Sequence, residues 1–111
     1  MSKKMWIIYA LVLGASQADH ALADDPGETV YKTTCVTCHG ANGKGLLPGM
    51  PDFTQKGGVL SASDVVLLQR ITEGYQSANS PMAMPPKGGN PSLTDEQIRL
   101  VLSYLRHEFG K

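Results

Sequence analysis

The sequence predicts an all-α protein: three to four helices joined by long Gly/Pro loops. Three observations predict it. Three segments repeat apolar residues at three- and four-residue steps between helix start and stop signals, and none alternates like a strand. The glycines (12) and prolines (7) crowd into two stretches between those segments. Aromatic residues make up only 6% of the chain, so its own side chains supply little bulk for a core. The length of 111 residues allows one small domain. Ten Lys+Arg balance ten Asp+Glu, and the pI is near 6.8; this argues against nucleic-acid binding, which normally needs a basic face.

Residues 1–23 read as a signal peptide. Lys3 and Lys4 precede an uncharged apolar run, Met5 to Ala15, and Ala21-Leu22-Ala23 offers the small residues of a cleavage site. The run is shorter than the about 20 apolar residues a membrane span requires. An uncleaved anchor is the alternative. A second cut would follow Ala18, but the cut after Ala23 is preferred. The expected mature domain is 24–111, exported to the periplasm without stable membrane insertion. It carries eight basic and nine acidic residues. A domain of this size is marginal without a staple or a cofactor.

The first helix is expected from about Pro26 into Cys35, with Asp25-Pro26 as its start and Val30, Tyr31, Thr34 and Cys35 on one face. Gly40 to Leu60 reads as loop. Its Gly43-Lys44-Gly45 lacks the spacing and the hydroxyl residue of a phosphate loop. A second helix fits Asp64 to Glu73, capped by Ser63 and stopped by Gly74, with Val65, Leu68, Ile71 and Thr72 as its apolar stripe. Tyr75 to Ser92 is too Pro-rich for a helix or an interior strand. The last helix opens on Thr94-Asp95-Glu96-Gln97, a capping box, with Leu93 and Ile98 placed to form a hydrophobic staple. Ile98, Val101, Leu102, Leu105 and Phe109 then mark its buried face, and Arg106, His107 and Lys111 suit its C-terminal end.

Cys35-Val36-Thr37-Cys38-His39 is Cys-x-x-Cys-His, the attachment signature of c-type haem. Two thiols three residues apart on a helical turn can each add to one vinyl group of the porphyrin, which holds the next residue, His39, beneath the iron as an axial ligand. A covalently held porphyrin also supplies the missing apolar bulk. Three other readings compete. A disulfide this local would close almost no loop. A thioredoxin-like pair expects strands. A zinc site needs two more ligands, and only His20 and His107 remain. For the second axial position the loop Ser80-Pro81-Met82-Ala83-Met84-Pro85-Pro86 offers Met82 and Met84, which spacing cannot separate; Met50 is a third candidate, better suited to packing or surface.

At this point the chain resembles the class I cytochromes c, the small single-haem bacterial kind, over about Val30 to Phe109. The matching stretches are Cys35-Val36-Thr37-Cys38-His39-Gly40, Gly43-Lys44-Gly45, Pro51-Asp52-Phe53, Ile71-Thr72-Glu73-Gly74, Met84-Pro85-Pro86-Lys87-Gly88-Gly89 and Leu93 to Ile98 through Tyr104-Leu105. The run from Met84 is similar to that of short c5-like members, which often add a second cysteine pair that this chain lacks. The resemblance implies a small cytochrome c fold around one covalently bound haem c. Its distal ligand sits in a Met-Pro dipeptide, which implies Met84, with Met82 as fallback. It implies that the Pro51 carbonyl receives the other ring N–H of His39. It suggests that the first and last helices cross, Val30 or Tyr31 meeting Tyr104 or Leu105. It also suggests Phe53, Leu67, Leu68, Ile71 and Tyr75 as pocket residues, and offers Arg70 as a propionate partner, although a solvated helix charge is the preferred reading.

An iron held by both His39 and Met84 has no open position, so redox catalysis there is disfavoured and the protein is not expected to be an enzyme. The expected function is electron carriage by Fe(II)/Fe(III) cycling, with transient redox partner proteins, as a monomer or as a subunit of a redox complex. The alternatives are a haem c subunit of a larger periplasmic dehydrogenase, and a gas- or peroxide-reactive haem protein should the Met ligand be labile.

Overall fold

The computed structural model describes residues 25–111. The expected leader peptide, its two candidate cuts and the expected start of a mature domain lie outside the described residues. The fold is mostly helical, and no strand occurs among the described residues beyond an isolated bridge between Tyr75 and Met84.

The first helical segment runs without a break from Pro26 to His39. It consists of α1 (Pro26–Val30), a π turn (Tyr31–Cys35) and α2 (Val36–His39). Asp25 caps it, its side chain accepting from the Gly27 N–H at 2.8 Å. The π turn is defined by the Val36 N–H, which reaches back to the Tyr31 carbonyl. Thr33 Oγ1 donates to the Thr29 carbonyl at 2.8 Å on its outer side.

α3 (Asp64–Glu73) has the predicted bounds and the Ser63 cap. Its predicted stripe is corrected. Val65 is 75% exposed, whereas Leu67 is buried, with Leu68 and Ile71 partly buried against the core. Four consecutive apolar residues, Val65 to Leu68, leave the rotation of the helix undetermined by periodicity. A distant tie supplies what periodicity lacks. The Arg106 guanidinium donates to the Leu60 carbonyl (2.6 Å), the Ala62 carbonyl (2.9 Å) and Asp64 Oδ1 (2.7 and 3.0 Å), anchoring the start of α3.

α4 (Asp95–Phe109) carries the predicted capping box. Thr94 Oγ1 accepts from the Gln97 N–H (3.1 Å), and the Thr94 N–H donates to Gln97 Oε1 (2.9 Å). Ile98, Val101, Leu102, Leu105 and Phe109 are all buried. Thr94→Ala removes the cap and is expected to cost about 1 kcal/mol, read from the urea midpoint. α1 crosses α4 at Gly27, where a Cβ would lie 2.2 Å from the Leu100 carbonyl oxygen. The Tyr31 ring packs 5.5 Å from both the Tyr104 and Phe109 rings, so the expected crossing of first and last helices is present.

Candidate functional site

The helix-borne motif and the two loops face one cavity of about 450 Å³, within the about 300–1,000 Å³ typical of cofactor sites. Cys35, Cys38 and His39 line it from the first helical segment, Met50 and Pro51 from the first loop, and Met82 and Met84 from the second. Phe53, Leu67, Ile71 and Tyr75 form apolar wall as expected. Leu68 is not among the lining residues and packs into the general core instead.

The turn carrying the thiols is held at its exit. The Leu46 N–H donates to the Cys38 carbonyl (3.0 Å), the Gly45 N–H to the His39 carbonyl (2.8 Å) and the Tyr31 hydroxyl to the Gly40 carbonyl. Helix-end carbonyls that would otherwise be orphaned are thus taken up by the following loop and by a side chain nine residues back. Burial, with smaller contributions from Cys35 and Tyr104, pushes the Tyr31 phenol up to about 12. Cys35 and Cys38 are free thiols, both half-buried. Burial first, then the neighbouring Cys38, pushes the Cys35 thiol up to about 11.

His39 is 8% exposed, and burial lowers its pKa from the ordinary histidine value. Burial thus favours the neutral imidazole, the form that ligates metal. Its ring stacks on Phe53 at 4.7 Å between centroids. The implied bond to the Pro51 carbonyl is not formed: Nδ1 is buried without a hydrogen-bond partner, although Pro51 lines the same cavity.

Met84 and Met82 differ in how they are held. Tyr75 and Met84 exchange both backbone hydrogen bonds, Tyr75 N–H to Met84 carbonyl (3.0 Å) and Met84 N–H to Tyr75 carbonyl (2.8 Å). The preceding Gly74 adopts φ +82°, and a Cβ there would meet the Met84 carbonyl oxygen at 2.7 Å. The end of α3 thus cradles Met84, which is half-buried, while Met82 is 48% exposed on a turn. In the sequence Gly74 signals only a helix stop; a one-residue bridge leaves no alternation to detect. Arg70 is not simply solvated. Its guanidinium lies 4.1 Å from the Tyr75 ring centroid, and among the described residues it is the only Lys or Arg lining the cavity. Met50 is half-buried in the cavity wall, in keeping with a packing role.

The residues present fit a covalently bound haem. A neutral buried imidazole with an unpartnered ring nitrogen, two free thiols and a thioether converge on one apolar cavity. For the competing zinc reading, no group of three or more His, Cys, Asp or Glu placed to hold a metal ion occurs among the described residues.

Comparison with known proteins decides the family. A family model for cytochrome c matches residues 25–108. The chain belongs to the cytochrome c family. This cytochrome c is 34% identical over 115 residues to cytochrome c6 of Pyropia yezoensis, covering 100% of this chain and 98% of the relative. It is 31% identical over 98 residues to cytochrome c-551 of Pseudomonas aeruginosa, covering 87% and 93%. A third match, 30% identical, is to the cbb3-type cytochrome c oxidase subunit CcoP of Rhodobacter capsulatus, where 92% of this chain covers 34% of the relative. As a family member, this cytochrome c is a haem c electron carrier, and its two cysteines fit the covalent attachment motif. Among the described residues, no helix is long and apolar enough to cross a membrane.

Proposed function

We propose that this cytochrome c is an exported, single-haem electron carrier, in which Cys35 and Cys38 are the thioether tethers and His39 and Met84 the axial ligands. The observation that carries the reading is the convergence of these four side chains on one apolar cavity, with Met84 fixed to the end of α3 by paired backbone bonds. Haem bound there supplies a reversible one-electron Fe(II)/Fe(III) couple. His39 presents a ring nitrogen to the cavity as one ligand. Met84 supplies a thioether, which raises the potential. Phe53, Leu67 and Ile71 exclude water from the ligands. A haem held by both His39 and Met84 would leave no coordination site for a substrate, which favours carriage over catalysis.

The balance of charge in the sequence predicts weak electrostatic steering and therefore transient docking to redox partner proteins. A second reading, as a subunit of a larger redox complex, is favoured by the match to an oxidase subunit in which the aligned part is 34% of the chain.

Intact mass tests the attachment and export together. Protein recovered from the periplasm is expected to weigh residues 24–111 plus one haem, and Cys35→Ser with Cys38→Ser is expected to lose the added mass. Haem that leaves the wild-type chain in acidified organic solvent would contradict the attachment, and a mass that retains residues 1–23 would contradict the cleavage.

A further inference from the structure

Residues 76–83 form a hairpin closed at its base by the Tyr75·Met84 bridge. The bonds of its tip are internal: Ser80 N–H to the Ser77 carbonyl (3.1 Å), Gln76 Nε2 to the Ser80 carbonyl (3.2 Å) and Ser80 Oγ to the Met82 carbonyl (2.8 Å). Among the described residues, no hydrogen bond ties 76–83 to the rest of the chain. The tip nevertheless meets the first loop at one tight point. A Cβ on Gly49 would lie 2.8 Å from Pro81 Cδ, 3.2 Å from Ser80 Cα and 3.4 Å from Ser80 Oγ. Gly49 and Ser80 both line the cavity that holds His39 and Met84.

Gly49 also serves its own turn. Leu47-Pro48-Gly49-Met50 is closed by the Met50 N–H on the Leu47 carbonyl (3.2 Å), and Gly49 has φ +85°, the glycine position of a type II turn. The turn alone would explain a glycine, but not the approach of Ser80 and Pro81 onto its missing side chain.

We propose that Gly49 is a positioning residue for Met84: its bare Cα seats the tip of the 76–83 hairpin and keeps that hairpin closed over the cavity. The proposal rests on the reading of Met84 as the distal ligand. A side chain at 49 pushes the tip outward, and the hairpin turns on its only hydrogen-bonded attachment, the bridge at Met84. The thioether then leaves the iron more often. An external ligand competes in proportion to the fraction of protein with that position open.

The test compares wild type, Gly49→Ala, Gly57→Ala and Met84→Ala as haem-loaded proteins. Gly57 has φ +69° with nothing within 4 Å of its Cβ position, so it reports left-handed backbone strain alone. The readouts are the thioether-to-iron absorption band of the ferric protein and its imidazole affinity. Gly49→Ala is expected to weaken the band and bind imidazole about tenfold more tightly, with Gly57→Ala at the wild-type value. Adding Pro81→Ala to Gly49→Ala is expected to recover most of the band. Should Gly49→Ala yield no loaded protein, Gly49→Ala with Pro81→Ala is measured in its place; loaded protein with a band near the wild-type strength supports the seat, and failure of the double variant to load overturns it. Equal behaviour of Gly49→Ala and Gly57→Ala overturns the positioning role. A band that survives Met84→Ala overturns it too, and takes the ligand assignment with it.

Discussion

Gly27→Ala is expected to lower the stability of this cytochrome c by about 3 kcal/mol, the upper part of the range for overpacking a tight interior. A Cβ at this position would lie 2.2 Å from the Leu100 carbonyl oxygen, 2.8 Å from its carbon and 2.9 Å from Tyr104 Cβ. Two of these three atoms are backbone within α4, so no rotamer change relieves the contact. The helices must separate, which loosens Tyr31 from Tyr104 and Phe109. The gain in helix propensity from Gly to Ala is about 1 kcal/mol at most and is outweighed. The urea midpoint, with the slope unchanged, is the measurement. A midpoint at or above wild type would show that α1 and α4 do not meet this closely. Gly57→Ala is the useful contrast: its Cβ meets nothing, and only the backbone strain of φ +69° is added.

Met84→Ala is expected to abolish the thioether-to-iron absorption band, lower the reduction potential and open the iron to external ligands. Met82→Ala is expected to leave all three unchanged. The difference lies in how the two residues are held. Met84 is half-buried and paired with Tyr75, whereas Met82 is exposed on a turn bonded to itself. A ligand that must stay on iron in both oxidation states needs a fixed backbone, because each loosened residue adds conformational entropy to be lost on ligation. The opposite pattern of results would move the ligand to Met82.

The legible parts of this fold are those whose signals are local. α4 announces its start by a capping box and its buried face by an unbroken period, and both appear in the structure at the expected residues. Cys-x-x-Cys-His names its chemistry within five residues. The parts that were not legible depend on contacts distant in sequence. The rotation of α3 is tied by Arg106 across 42 residues to Asp64, and four adjacent apolar residues give periodicity no preference. The π turn at Tyr31–Cys35 leaves no compositional mark. Two methionines two residues apart differ in how they are held because the backbone of Gly74 and Tyr75 meets Met84 and not Met82, and this supports Met84 as the proposed ligand. Arg70 shows the same limit: its position over Tyr75 brings together two residues whose spacing alone predicts a solvated charge.

A haem iron held by both His39 and Met84, as proposed, is suited to passing electrons and closed to substrates. The optical spectrum of the reduced protein at neutral pH, recorded before and after carbon monoxide is added, tests this ligation most directly. Carbon monoxide is expected to leave the wild-type spectrum unchanged and to alter that of Met84→Ala. Ready binding of carbon monoxide by the wild type would contradict it and turn the assignment toward a gas- or peroxide-reactive haem protein.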